Sequence, residues 1–279
     1  MSFGMRKETV AFQGERGAFS EEAAYKQLNR HIRVLPCETF EEAFQSVVKK
    51  KATYCLVPIE NTLAGSIYEN YDLLLRNDLH IVGEENLRIV HNLVGFPGTT
   101  LRNLRRVYSH PVALAQCSRF FSRHPRVEKN PFYDTAGSVK MLAKERPPGT
   151  AAIASRIAAS VYGARILQSH LEDHQENFTR FLLLSRRFRV SPRANKVSIV
   201  FSTRNVPGAL YKCLCVFALR DIDLTKMESR PLRGKPWEYF FYLDFVGNVK
   251  EQRCRKALEH LEEVTKFLRV LGCYESGKR

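Results

Sequence analysis

No run of 18 apolar residues occurs anywhere in this chain of 279, and its start, MSFGMRKETVAF, has no apolar core of an export signal. Neither membrane spanning nor secretion is therefore expected. Nucleotide signatures are missing too. The loop QGERGAFS at 13–20 carries G-x-x-G, but the dinucleotide fingerprint needs G-x-G-x-x-G with an acidic residue further on, and there is no Walker lysine motif. A G-x-S-x-G elbow is absent. So is zinc-finger spacing, and the C-x-C at 213–215 has no second pair, so no structural zinc is implied. Organic cofactors and metals are thus not expected.

Cysteine is present but unpaired in pattern. Seven cysteines at 37, 55, 117, 213, 215, 254 and 273 are an odd count among mostly apolar neighbours, which points to free thiols in a reducing compartment. Cys55 and Cys117 read as small buried hydrophobes rather than nucleophiles. A cytoplasmic protein is expected, or one of the plastid stroma if a leader has been removed.

What the chain does have is positive charge. A formal net charge of +15 with 44% hydrophobic and 26% charged residues describes a soluble globular protein with a basic surface. The basic residues are scattered and the longest lysine run is KKK at 49–51. A solvated surface that steers small anions is therefore expected, with neither specific nucleic-acid binding nor membrane association.

The organisation is α/β. ETVAFQG reads as a strand ending in glycine, followed by a helix over ERGAFSEEAAYKQL, with Ser20 as a candidate cap and Glu21 and Glu22 in the first turn. CLVPIEN leads through TLAGS into IYENYDLLLRN, where Ile67, Tyr71, Leu74 and Leu75 recur at helical spacing. A second set of elements starts near residue 86: LRIVHNLVGF, RRVYSH, a helix PVALAQCSRFFSRH led by Pro111, DTAGSVKMLAKE, TAAIAS and RIAASVYG. The strand TRFLLLSR then arrives late and is expected to return to the first lobe. FRVSPRANK, around 188–196, reads as a linker, and beyond it the pattern is βαββαβ, an antiparallel sheet with two helices on one face.

Five loops place glycine, hydroxyl and amide groups at expected helix starts, where free backbone N–H groups bind carboxylate or phosphate: QGERGAFS, ENTLAGS, HPVALAQ, DTAGS and NFTRF. His170 and His174 stand four apart in SHLEDHQEN, a spacing that suits one helix face, but a third convincing ligand is lacking. Thr179 and Arg180 are harder to dismiss, because ENFTRFLLLSRR puts them at the mouth of a buried strand. Arg180 there either pairs with Glu176 or Asp173 or clamps a ligand carboxylate. Composition alone leaves both open.

GERGAFSEEAA, VPIENTLAGSI, YSHPVALAQC, DTAGS, AAIAS, NFTRF, PGALY and TKMESRP occur in the order found in the monofunctional prephenate dehydratases and the related arogenate dehydratases, which the chain resembles from Val10 to about Tyr274. The resemblance implies a two-lobed, periplasmic-binding-protein-like catalytic domain over 8–187, with one lobe at about 8–85 and 176–187 and the other at about 86–175. It also implies a linker at 188–195 and a ferredoxin-like ACT regulatory domain over 196–275. The implied reaction is the decarboxylating dehydration of prephenate to phenylpyruvate, or of arogenate to phenylalanine. Thr179 would be catalytic. Ser20, Asn61, Thr62, Gly65, Ser66, Gln116, Thr135, Ala136, Arg180 and Phe181 would bind substrate. Asn205, Gly208, Ala209, Leu210, Glu228, Ser229 and Arg230 would bind phenylalanine as effector between ACT domains, in a homodimer or homotetramer.

Departures from the family pattern are few. Thr62 stands where serine is usual, Asn92 where cysteine is frequent, and Met227 where isoleucine is usual; the first two are expected to bear on pocket shape. A non-catalytic two-lobed receptor for small anions is the reading of another class.

Overall fold

Short strands ending in glycine or asparagine and feeding helices recur along the chain. In the computed structural model, which describes residues 7–232, 234–235 and 237–277, they begin with β1 (Thr9–Gln13), α1 (Phe19–Leu28), β2 (Arg33–Cys37) and α2 (Phe40–Val48). Next are β3 (Tyr54–Asn61), β4 (Gly65–Ser66), α3 (Tyr68–Arg76), β5 (His80–Arg88), β6 (Asn92–Gly95) and β7 (Arg106–Ser109). Then come α4 (Pro111–Ala115), α5 (Ser118–Arg123), β8 (Glu128–Pro131), α6 (Thr135–Glu145), β9 (Thr150–Ala154), α7 (Arg156–Tyr162), β10 (Arg165–Gln168) and β11 (Phe178–Ser185). The last six are β12 (Lys196–Ser202), α8 (Ala209–Ala218), β13 (Leu224–Pro231), β14 (Tyr239–Val246), α9 (Gln252–Val264) and β15 (Phe267–Tyr274).

The chain forms two compact units. One holds the residues up to Asn70 together with Glu85–Phe181; the other holds Tyr71–Glu84 and the residues from Leu182 onward. These limits differ from the sequence-based ones at 188–195, and each unit is described separately.

The first unit is two-lobed. In one lobe β1 lies parallel between β2 and β3, β11 flanks β3 on its other side, and β4 folds back antiparallel on β3. The other lobe has a sheet in the order β10-β6-β9-β7-β8, parallel among β9, β7 and β8 and antiparallel at β6 and β10. Every residue of β9 is buried, as for a parallel strand covered on both faces. The chain crosses between lobes near residues 89 and 177, where Ile89 N donates to Asn177 O at 2.7 Å.

Helix starts in this unit follow hydroxyl and carboxylate caps. Thr39 caps α2, Asp134 caps α6 and Ser155 caps α7, and Pro111 opens α4 as the sequence suggested. Two expectations are corrected. Ser20 does not cap α1: Ala18 holds the cap position without a side-chain bond, and Ser20 is buried inside the first turn. The helix expected over PVALAQCSRFFSRH is two helices, because Asp173 supplies a second start by accepting from Ser118 N at 2.8 Å and Arg119 N at 2.9 Å.

The second unit carries the expected βαββαβ order, with the antiparallel strand sequence β13-β14-β12-β15. Val197, Ile199, Phe201, Phe217, Leu243 and Phe245 form its core with α8 and α9. Residues 71–84 are tied to it by hydrogen bonds: Tyr242 Oη donates to Tyr71 O at 2.7 Å, and Arg269 Nη2 donates to Asn77 O at 3.0 Å and Leu79 O at 3.1 Å. Gly272 pairs with Ile81, and a Cβ on it would sit 2.2 Å from Ile81 O, so only glycine fits. The expected linker is irregular but packed, since Ala194 is buried and Val190 rests on the same core.

Candidate active site

β3 ends at Asn61, and the chain turns there around its side chain. Asn61 Oδ1 accepts from Leu63 N at 3.0 Å and Ala64 N at 2.8 Å, the Asx pattern that asparagine favours in turns. With its oxygen occupied by backbone donors, the amide nitrogen must point the other way. It donates to Asn177 Oδ1 at 2.8 Å and to Thr179 Oγ1 at 3.0 Å, and lies 3.1 Å from Phe178 O.

The polarity propagates. Asn177 Nδ2 donates to Gln116 Oε1 at 2.9 Å, and His91 Nε2 lies 2.9 Å from the same oxygen. A carbonyl oxygen only accepts, so His91 carries its proton on Nε2. His91 is 2% exposed; burial lowers its pKa, the Gln116 bond opposing, and the ring is neutral. Its Nδ1 is buried without a partner. At the other end, Thr179 Oγ1 accepts from Asn61, which leaves the threonine O–H free to donate.

Thr179 and Phe181 of β11 face a cleft of about 710 Å³ in the first unit. The start of α1 contributes Ala18, Phe19 and Ser20; α4 contributes His110, Val112 and Ala113; α6 contributes Asp134 and Thr135. The N–H groups of Phe19 and Ser20 precede the first bonds of α1 and have no intrahelical acceptor. Phe19, Phe40, Pro58, Ile67, Ile89 and Phe181 supply apolar wall. Glu38, Glu69 and Asp134 also line the cleft, and among the described residues no arginine or lysine does. Burial lowers the pKa of His110, with Asp134 opposing, and burial raises that of Asp134 against the backbone donors of its cap.

Of the expected substrate residues, Ser20, Asn61, Gly65, Ser66, Gln116, Thr135 and Phe181 line this cleft beside Thr179. Three do not. Strand alternation puts Arg180 on the face of β11 opposite Thr179 and Phe181, and it is not among the lining residues. Ala136 is fully buried in the core beneath α6. Thr62 works from behind the cleft, its hydroxyl donating to Glu176 O at 2.7 Å and accepting from Phe178 N at 3.0 Å. Asn92 also lies off the cleft, within reach of Val90 O and Ala154 O.

The sequence reading missed His91 and Tyr133, which become part of the site only through contacts with distant segments; Asn177 lies in the NFTRF segment it singled out but was given no role of its own. His170 and His174 lie on an irregular segment, not a helix, and among the described residues no group of three or more His, Cys, Asp or Glu is arranged to hold a metal ion.

In the second unit, Gly208 holds the cap position of α8 with φ 76°, and Ala209 and Leu210 open that helix half-buried. Asn205 is exposed in the preceding loop. On β13, Glu228 and Arg230 share the half-buried face while Ser229 is exposed on the other, and Met227 is likewise exposed. Arg230 pairs with Asp72, with Nε to Oδ1 and Nη2 to Oδ2 both at 3.2 Å.

The fold is thus a two-lobed α/β unit with a cleft built on helix starts, followed by a βαββαβ unit. The chain belongs to the prephenate dehydratase family, whose model matches residues 10–189. It is 46% identical over 277 residues to arogenate dehydratase/prephenate dehydratase 2, chloroplastic, of Arabidopsis thaliana, covering 95% of this chain and 72% of that one. Among solved structures it is similar to a prephenate dehydratase from Arthrobacter aurescens in complex with L-Phe, with a TM-score of 0.88, 31% identity and coverage of 96% and 89%. It is also similar to GqqA, described as a quorum-quenching acylase, with a TM-score of 0.89, 33% identity and coverage of 96% and 98%.

Proposed function

We propose that the chain is a dehydratase of phenylalanine biosynthesis that converts prephenate to phenylpyruvate, and that the same cleft accepts arogenate to give phenylalanine. The observation that carries the reading is the Asn61–Thr179 hydrogen bond, which turns the threonine hydroxyl into a donor within the cleft. The second substrate is supported by the relatives, the Arabidopsis protein being named for both activities.

Either substrate loses carbon dioxide from its quaternary ring carbon and hydroxide from the carbon across the ring, and the electron pair released by decarboxylation completes the aromatic ring. A proton then makes the hydroxide water. Aromatisation supplies the driving force, so the protein has to hold the geometry and assist the departing oxygen. Thr179 donates its hydrogen bond there; as threonine is a poor acid, it stabilises developing charge rather than transferring a full proton. Phe19, Ile89 and Phe181 shield the ring carboxylate from water, which favours its loss as neutral carbon dioxide. The N–H groups at the start of α1 and the hydroxyls of Ser20, Ser66 and Thr135 hold the substrate carboxylates.

The βαββαβ unit is an ACT domain that binds phenylalanine through Asn205, Gly208, Ala209, Leu210, Glu228, Ser229 and Arg230 where two copies meet, in a homodimer or homotetramer. Support comes from the phenylalanine bound to the Arthrobacter enzyme and from apolar side chains exposed on this unit, among them Val206 and Tyr211. All seven cysteines are unpaired, in keeping with a reducing compartment such as the cytosol or the plastid stroma.

The test is turnover of purified protein with prephenate and with arogenate, each with and without phenylalanine. Aromatic product from either, suppressed by phenylalanine, is expected. Retention of these ligands without turnover would return the chain to the receptor class.

A further inference from the structure

Prephenate and arogenate differ at one carbon of the side chain: the first carries a carbonyl there, the second an ammonium group. Both have two carboxylates, so what a cleft offers that one carbon decides between them. A carbonyl only accepts hydrogen bonds, whereas an ammonium donates three and carries a positive charge.

The cleft offers that carbon acceptors and negative charge. Its carboxylates are those of Glu38, Glu69 and Asp134, and among the described residues no lysine or arginine lines it. Asp134 is committed to its helix, with Oδ1 accepting from Gly137 N at 2.7 Å. Glu38 and Glu69, both exposed at the cleft, make no side-chain hydrogen bond or ion pair among the described residues, so their charge is available to a ligand. The two histidines add no positive charge, since burial holds both pKa values down.

We infer that this cleft selects the amino-acid form of the substrate, and that Glu38 and Glu69 are the specificity-determining residues that favour arogenate over prephenate by attracting its ammonium group. The inference rests on the dehydratase reading. The two carboxylates of either substrate are held by neutral donors, the N–H groups at the start of α1 and nearby hydroxyls, which do not tell the two apart. The molecule's overall positive charge draws in both anions, so discrimination arises inside the cleft, where a seated substrate displaces water and strengthens each charge contact.

The experiment measures kcat/KM for both substrates in the wild type, in Glu38→Gln, in Glu69→Gln and in the double variant, which remove charge while keeping side-chain volume. Expected is a wild-type preference for arogenate of about tenfold or more, falling at least about threefold in the double variant as prephenate turnover improves. Thermal melting of the variants verifies that they fold. Turnover of both substrates with prephenate preferred, or with a ratio that the double variant leaves unchanged, would overturn the inference and leave the dehydratase reading standing. Turnover of neither would overturn both.

Discussion

Asn61 Nδ2 donates to Thr179 Oγ1 at 3.0 Å across 118 residues of sequence, and the direction of that bond is fixed by the backbone. Two N–H groups hold the Asn61 oxygen, so its nitrogen faces the threonine. Asn61→Asp keeps the turn and places an acceptor opposite Thr179, whose proton is then drawn to the carboxylate instead of the departing hydroxyl. A fall in kcat of about 10²–10³-fold is expected, with KM changed far less. Steady-state kinetics on both substrates measure it, and a wild-type kcat would contradict the assigned polarity.

Gly17 has φ +86°, and a Cβ there would lie 2.5 Å from Ala158 Cα. Its carbonyl also accepts from Ser155 Oγ, so the GERGAF loop is pressed against α7 in the other lobe. Gly17→Ala adds both a clash and backbone strain, and a loss of about 1–3 kcal/mol is expected. Urea unfolding reads the loss. Activity should fall with it, because α1 and its cleft residues follow this loop.

His91 links the site to pH. Burial lowers its folded pKa, with Gln116 and then Glu172 opposing, so the unfolded chain binds its proton more readily than the folded one. The associated stability is complete above the unfolded value of about 6.5 and is lost as pH falls toward the folded value. Denaturation midpoints at pH 7 and pH 5 should therefore drop more for wild type than for His91→Gln, whose amide still donates to Gln116. Equal drops would show that His91 is not held neutral.

Gly208 has φ +76° with open space where a Cβ would stand. Gly208→Ala meets no clash and costs only the left-handed backbone, about 1 kcal/mol. Phenylalanine titrations should show inhibition weakened more than the basal rate. Loss of both in equal measure would point to misfolding and remove this glycine from the effector site.

Local pattern carried most of the fold to the reader of the sequence. The βαββαβ unit was legible because strand alternation, the PGALY turn and a well-phased α9 agree with one another. Strands such as RVLPC and EKNP were not, since a proline or polar run in an edge strand looks like loop. The same division holds in the site. Asn61, Gln116 and Thr179 sit in or beside short segments carrying amide and hydroxyl groups, which sequence singles out. Arg180, read beside Thr179 in one motif, is not among the lining residues, because adjacent residues in a strand face opposite ways. His91 was invisible, and the role of Asn177 within NFTRF was not readable, because both are made by long-range hydrogen bonds. That no lysine or arginine is among the described residues lining the cleft, which decides how it holds an anion, belongs to the assembled lobes and to no single motif.

The central claim is that the Thr179 hydroxyl donates to the oxygen that leaves. Rates of aromatic product formation at saturating substrate for wild type, Thr179→Ser and Thr179→Val test it most directly. Serine keeps the donor and should retain substantial turnover; valine keeps the shape, loses the donor, and should fall by about 10²-fold or more. Wild-type turnover in Thr179→Val would contradict the account.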